Sequence, residues 1–204
     1  DLVLALLGLV VVASALGARP DRHGALALAR RARQDCCDLM SAFEFRPPLA
    51  FPRAKEAMPD LVFPMAPEHP AYALIEISGS GLVDVEQLMA RFLELAFEEG
   101  LATDGVVAQS QAQAARFWAI REGMNLGQAA RGRHLRTDIS VPLSRLADFV
   151  AEAEGAIHAA LPGAICVSYG HVGDGNVHLN VLPDYAFGAE TVVRRNDALT
   201  ADEA

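Results

Sequence analysis

Two hydrophobic spacings divide this chain. Alternation with period two marks a half-buried strand, and recurrence every three or four residues marks one face of a helix. Residues 2–16 are almost wholly apolar. They are too few to span a bilayer, which takes about 20 residues, and they lack the basic leading region of a signal peptide. A buried strand or strand–helix junction is expected there. Pro20 and Asp21 open a helical pattern over 24–33, with Ala25, Leu26, Leu28, Ala29 and Ala32 on its apolar side. A strand over 38–45 follows. Residues 46–70 hold seven prolines and read as a connector with a short helix near 53–58. The clearest strand, 71–78, is closed by Gly79 and Gly81. A helix over 84–99 carries the stripe Val85, Leu88, Met89, Phe92, Leu95 and Ala96, with Gly100 as its stop.

Residues 102–108 predict a short strand, and 109–131 a long helix through Ala114, Phe117, Trp118, Ile120 and Met124. Alternation returns at 134–141, with Leu135, Thr137, Ile139 and Val141 on one face and His134, Arg136, Asp138 and Ser140 on the other. Ser144 is read as the cap of a helix over 145–160, ended by Pro162-Gly163. A last helix begins near 188. This order predicts an α+β domain of ferredoxin-like units, forming one antiparallel sheet with helices packed on one face. The other face is left to cover a ligand.

The polar chemistry concentrates after that last turn. From Ser168 to Asn180 apolar and polar residues alternate on both sides of Asp174-Gly175, a strong hairpin signal. With those two as turn residues, His171 lies opposite His178 and Tyr169 opposite Asn180. One face then carries Val172, Val177, Leu179 and Val181, and the other the two histidines, Tyr169 and Asn180. Directly opposed Cβ atoms are roughly 4.5–5.5 Å apart, so His171 and His178 can meet at one divalent cation. The alternative is a wetted sheet surface. Gly170, Gly173 and Gly175 favour a close approach of a ligand or a turn. A catalytic zinc usually has three protein ligands, and Asp174 points away, so a third ligand is expected from elsewhere.

A second cluster lies on the long helix. Arg121 and Asn125 are four residues apart and share a face, and Arg136 falls on the polar side of its strand. An arginine fork grips a carboxylate with two hydrogen bonds. Arg121, Asn125 and Arg136 beside the histidines suit a small carboxylated hydroxy acid. The alternative pairs Arg121 with Glu122 or Glu98, and Arg136 with Asp138.

The formal charge is −9, and the one basic cluster, Arg30-Arg31-Ala32-Arg33, reads as a solvated helix face; nucleic acid is excluded as a partner. Composition, 52% hydrophobic and 21% charged over 204 residues, suits one sizeable core. The three cysteines show no Cys-x-x-Cys spacing and read as core residues of a reducing compartment.

Ser41-Ala42-Phe43-Glu44, Leu74 through Gly79, Arg121-Glu122-Gly123, Asp138 through Pro142, and above all Gly170-His171-Val172-Gly173-Asp174-Gly175-Asn176-Val177-His178 carry a resemblance. The chain resembles the C-terminal domain of FAD-linked oxidases of the vanillyl-alcohol-oxidase superfamily, nearest to the D-lactate, D-2-hydroxyglutarate and glycolate dehydrogenases. The resemblance implies a cap domain that holds the 2-hydroxy acid against FAD, with zinc or manganese on His171 and His178. It implies substrate contacts from Arg121, Asn125 and Asn180. Arg136 stands where the family commonly has lysine, which keeps the charge but changes the fork. Two family parts are expected outside this segment: the FAD-binding domain before it, and beyond Ala204 a Glu-His-Gly motif with the third metal ligand and a catalytic histidine. Residues 1–204, which begin at Asp1 rather than Met, are therefore expected to be a single-domain fragment, inactive alone. Its partners would be the hydroxy acid, a flavin domain or subunit, and a second copy in a homodimer. It would be cytoplasmic, free or peripheral at the inner face of the membrane, with no transmembrane segment. The competing reading is a non-catalytic ferredoxin-like module that binds a small acid or joins a separate flavin subunit.

Overall fold

The computed structural model describes residues 10–19, 22–65, 69–172 and 175–183, with side chains from residue 24 onward. The expectations for residues 2–9, for Pro20 and Asp21 as helix openers, for Asp174 in the turn and for a helix from 188 lie outside the described residues. The elements run β1 (Val10–Arg19), α1 (Arg22–Cys36), β2 (Met40–Arg46), α2 (Ala50–Ala57), β3 (Ala71–Ser80) and α3 (Val85–Glu98). Then come β4 (Asp104–Val107), α4 (Gln111–Ala130), β5 (Ile139–Ser140), α5 (Leu146–Ala160), β6 (Ile165–His171) and β7 (Asn176–Leu182).

The strands form one sheet in the order β4-β1-β3-β2-β6-β7-β5, every pairing antiparallel. The α+β class and the ferredoxin-like rhythm are both visible in that order. β1, β2, β3 and β4 with α1 and α3 make one unit, and β5, β6 and β7 repeat the order of β1, β2 and β3. The two halves meet at β2 and β6, where Glu44 is paired with His171 and Phe45 with Gly170.

Helices α1, α3 and α5 cover the face that carries Ala71, Ala73, Ile75 and Ile77 of β3. The structure adds a second layer to the expected one. α2 and α4 close part of the opposite face, where Phe51, Ala54, Phe117 and Ile120 pack on Tyr72 and Leu74. The connector 46–70 and the span between the two units supply these helices, and their apolar stripes need a sheet face to bury. Trp118 donates from Nε1 to Glu76 Oε2 on β3 at 2.9 Å. Arg131 grips Glu56 with two bonds, 2.9 and 2.6 Å, which holds that carboxyl below its ordinary pKa. These contacts set the height of α4 above the sheet.

Ser110 caps α4, accepting from the Gln113 N–H at 3.2 Å. Ser110→Ala is expected to cost about 1 kcal/mol, measured as a lower midpoint in urea. Ser144 does not cap α5. A 3-10 turn over Leu143–Arg145, with Arg145 N–H bonded to the Pro142 carbonyl, takes up Ser144, and the N-cap at Arg145 has no side-chain bond. Of the strand expected over 134–141, only Ile139–Ser140 forms a ladder, with one further bridge at Leu135. Among the described residues no helix is long and apolar enough to cross a membrane.

Candidate functional site

The site lies on the α2/α4 side of the sheet, where Ala50 of α2 and Met124 of α4 pack on Val167 and Tyr169 of β6 and Leu182 of β7. Along β2, Phe43 and Phe45 turn into the α1 layer, so alternation sends Glu44 and Arg46 to the opposite face. Both are almost completely removed from solvent, at 0% and 1% exposure. Glu44 Oε1 lies 2.6 Å from His171 Nδ1 and Oε2 lies 3.8 Å from Arg121 Nε. Neither Glu44 oxygen receives a well-directed hydrogen bond, and none of the three Arg46 nitrogens has a hydrogen-bond partner among the described residues. Burial lowers the Arg46 guanidinium to a pKa of about 10, an effect that the negative charge of Glu44 opposes.

The hairpin register differs from the expected one. Tyr169, not His171, is paired with His178, and Val167 is paired with Asn180. The reversal is closed by Gly175 N–H on the Val172 carbonyl at 3.2 Å. The pairing is thus shifted by two residues from the expected one. A shift of two preserves faces, because side-chain direction repeats every second residue. Val172 and Val177 are buried in the α1/α5 layer as expected, and both histidines share the other face. They are diagonal rather than opposed, with ring centres 6.1 Å apart. Among the described residues no three of His, Cys, Asp and Glu come together as a metal cage. Among the described residues the two imidazoles do not by themselves make up a metal site.

Around them α4 contributes a hydrogen-bonded row. Tyr169 OH donates to Asn125 Oδ1 at 2.8 Å, and Asn180 Nδ2 donates to Gln128 Oε1 at 2.9 Å and to the Tyr169 oxygen at 3.3 Å. Burial raises the Tyr169 pKa; the Asn180 bond and the charges of Arg121 and Arg136 act the other way. The Ile139↔Val177 pairing and the Leu135↔Val181 bridge share one register, which sets Arg136 across from Asn180 and Asp138 across from His178. Asp138 Oδ1 is 3.8 Å from His178 Nδ1 and accepts from Asn176 Nδ2 at 2.5 Å.

Arg121, Asn125, Arg136, Asn180, His171 and His178 thus gather on one side of the sheet. Their engagements differ. Arg121 already meets Glu122 at 3.1 Å as well as Glu44, so the acid pairing weighed from the sequence is present. Among the described residues Asn125 is engaged through its oxygen, by Tyr169. Asn180 is buried and its amide is occupied. Arg136 is exposed at the rim. Sequence reasoning missed Glu44, Arg46 and Gln128 as members of the cluster. A signal for the first two existed: two charges at i and i+2, interleaved with Phe43 and Phe45, are out of place on a buried strand.

Comparison with known proteins adds an independent line. The family described as FAD linked oxidases, C-terminal domain, matches residues 11–198. A D-2-hydroxyglutarate dehydrogenase of Xanthomonas citri pv. viticola is 40% identical over 130 residues, which are 63% of this chain and 27% of that protein. The mitochondrial D-2-hydroxyglutarate dehydrogenase of Arabidopsis thaliana is 32% identical over 150 residues, 74% of this chain and 26% of the relative. The chain therefore spans about a quarter of the length of these curated relatives. Among solved structures, p-cresol methylhydroxylase with substrate bound superposes with a TM-score of 0.61 at 12% identity, over 94% of this chain and 42% of that one. That likeness is one of fold.

Proposed function

This chain belongs to the family of FAD linked oxidase C-terminal domains, and from that membership we propose that it is the substrate-binding domain of an FAD-dependent D-2-hydroxy-acid dehydrogenase. D-2-Hydroxyglutarate is the substrate that suits it best, ahead of D-lactate and glycolate. The observation that supports this reading is that Arg121 and Arg136 stand on the same face of the sheet as His171 and His178, whose ring centres are 6.1 Å apart. A dicarboxylate can occupy two arginine forks, whereas lactate or glycolate has one carboxylate. The relatives named above as D-2-hydroxyglutarate dehydrogenases point the same way.

In this reading Arg121 turns its fork from Glu122 to a substrate carboxylate, Asn125 donates from its free amide, and Arg136 holds the outer end. Asn180 and Gln128 act behind Tyr169, holding its hydroxyl in place. His171 and His178 would hold a divalent cation, zinc or manganese, which as a Lewis acid would favour loss of the substrate hydroxyl proton. FAD, carried mainly by another domain or subunit, would supply the hydride acceptor. Residues 1–204 would then be one domain of the working enzyme.

Arg121→Met in the complete enzyme is expected to lower kcat/KM for D-2-hydroxyglutarate by about 100-fold, mostly through KM, as loss of a charge-assisted clamp does. His178→Ala is expected to lower activity most when cation is limiting and to converge with the wild type when cation is withheld. A dye-reduction assay in which Arg121→Met leaves KM unchanged would remove the carboxylate clamp from this face.

A further inference from the structure

Between α4 and the β6–β7 hairpin, four side chains are joined head to tail by hydrogen bonds. Gln128 and Asn180 are both buried, so the donor and acceptor ends of their amides have to be matched by protein groups. A backbone carbonyl can only accept. Gln128 Nε2 donates to the Met124 carbonyl, one turn earlier on α4, at 3.3 Å, which leaves Oε1 at the other end of the amide. That oxygen accepts from Asn180 Nδ2 of β7 at 2.9 Å, and the second N–H of the same nitrogen reaches the Tyr169 oxygen at 3.3 Å. The observed register, with Val167 opposite Asn180 and Tyr169 opposite His178, makes Tyr169 and Asn180 diagonal neighbours. A phenol has one proton to donate. With its oxygen accepting from Asn180, Tyr169 sends that proton to Asn125 Oδ1 at 2.8 Å. Each link fixes the direction of the next, and the series starts from a group that cannot reverse. Turning the Asn125 amide over would set Nδ2 against the phenol and leave the Tyr169 proton without an acceptor among these four side chains.

We propose that Gln128 is a positioning residue that sets the polarity of this relay, so that Asn125 meets the substrate as a donor, through its amide N–H₂. The proposal rests on the reading of Asn125 as a substrate contact, and it adds a selection rule to that reading. An N–H₂ group pairs with carboxylate or carbonyl oxygens and not with another N–H donor. The Asn125 position therefore takes an oxygen acceptor, as a hydroxy acid's carboxylate provides. Asn125 and Gln128 are three residues apart on α4 and share a face. The relay leaves the helix at Gln128, passes through β7 and β6, and returns to the helix at Asn125. The two asparagines thus have different tasks: Asn180 works inside the relay, and Asn125 stands at its end.

The test measures KM and kcat for D-2-hydroxyglutarate by dye reduction in the complete enzyme and in four variants: Gln128→Met, Tyr169→Phe, Asn125→Ala and the double variant Gln128→Met/Asn125→Ala. Methionine keeps the length of Gln128 and removes both ends of its amide. Gln128→Met is expected to raise KM about 5- to 10-fold with kcat changed less than about threefold. Tyr169→Phe, which cuts the relay at a later link, is expected to do the same. In the Asn125→Ala background, Gln128→Met should alter KM by less than about twofold, because residues that act through one another are not additive. A penalty of undiminished size in that background overturns the proposal. So does an unchanged KM in Gln128→Met and Tyr169→Phe alongside a raised KM in Asn125→Ala. If Asn125→Ala itself leaves KM unchanged, the substrate reading of Asn125 fails separately, and neutron diffraction of the deuterated enzyme then decides the relay. Deuterons distinguish Nδ2 from Oδ1: Oδ1 against Tyr169 upholds the polarity, and Nδ2 there overturns it. The same measurement decides if Gln128→Met does not fold.

Discussion

Gly127→Ala is expected to destabilise the protein by about 3 kcal/mol or more, at the upper end of what overpacking does. The direction is informative, because alanine in a helix interior ordinarily stabilises relative to glycine by about 1 kcal/mol. Here a Cβ at Gly127 would stand 1.9 Å from the Arg53 carbonyl oxygen of α2. No rotamer relieves that contact, since both atoms are tied to backbone. Either α4 lifts from α2, or α2 unwinds where Arg53 N–H bonds the Leu49 carbonyl. Gly123, one turn earlier, is the control. Its Cβ would meet the Ala54 Cβ and the Met58 Sδ at 3.1 Å and the Ala54 Cα at 3.2 Å, a milder overlap that a shift of a few tenths of an ångström relieves. Gly123→Ala is expected to cost less than about 1 kcal/mol once the propensity gain is counted. Urea unfolding of the two variants checks the order; equal costs would mean that α2 and α4 are not in backbone contact. The consequence reaches the site, because Arg121, Asn125 and Gln128 ride on the same helix. A lifted α4 should separate Asn125 from Tyr169 before the core is lost.

Gly175→Ala carries the second large effect, an expected loss of about 2–4 kcal/mol. Gly175 sits at φ +70°, a left-handed conformation that costs a residue with a Cβ about 1–2 kcal/mol. Its Cβ would also lie 2.4 Å from the Val141 carbonyl oxygen, in a spot where Val141 N–H bonds the Gly175 carbonyl at 3.0 Å. The two causes can be separated. Asparagine tolerates the left-handed region, so Gly175→Asn would recover much of the loss if φ were the whole reason. It is expected to recover little, because the overlap with Val141 remains. Since Gly175 closes the hairpin between His171 and His178, both variants should also weaken cation binding. A measured stability within about 0.5 kcal/mol of wild type for Gly175→Ala would show that the segment before α5 does not press on this turn.

Most elements were legible because their patterns are local. The buried stripe of α1, with Ala25, Leu26, Leu28, Ala29 and Ala32, stands where its spacing placed it. The helix expected over 84–99 forms as α3, Val85–Glu98, with Asp84 as its cap accepting from Gln87 N–H at 2.9 Å. The strand 134–141 was overdrawn because alternation reports which faces residues would occupy and not how many ladder bonds form. The histidine pair shows a similar limit. Alternation placed His171 and His178 on one face, and the structure agrees, but the strand pairing is shifted by two, so opposed became diagonal.

Period and composition by themselves determined the order of helices and strands and the side of the sheet on which each side chain stands. These depend on neighbours within a few residues. Tertiary structure alone decided that β2 and β6 would be adjacent, that Glu44 would meet His171 across 127 residues of chain, and that α4 would approach α2 closely enough to demand glycine. Strand order, register and helix contact are settled by the burial of surfaces far apart in sequence, and no local pattern encodes which distant surface will cover which.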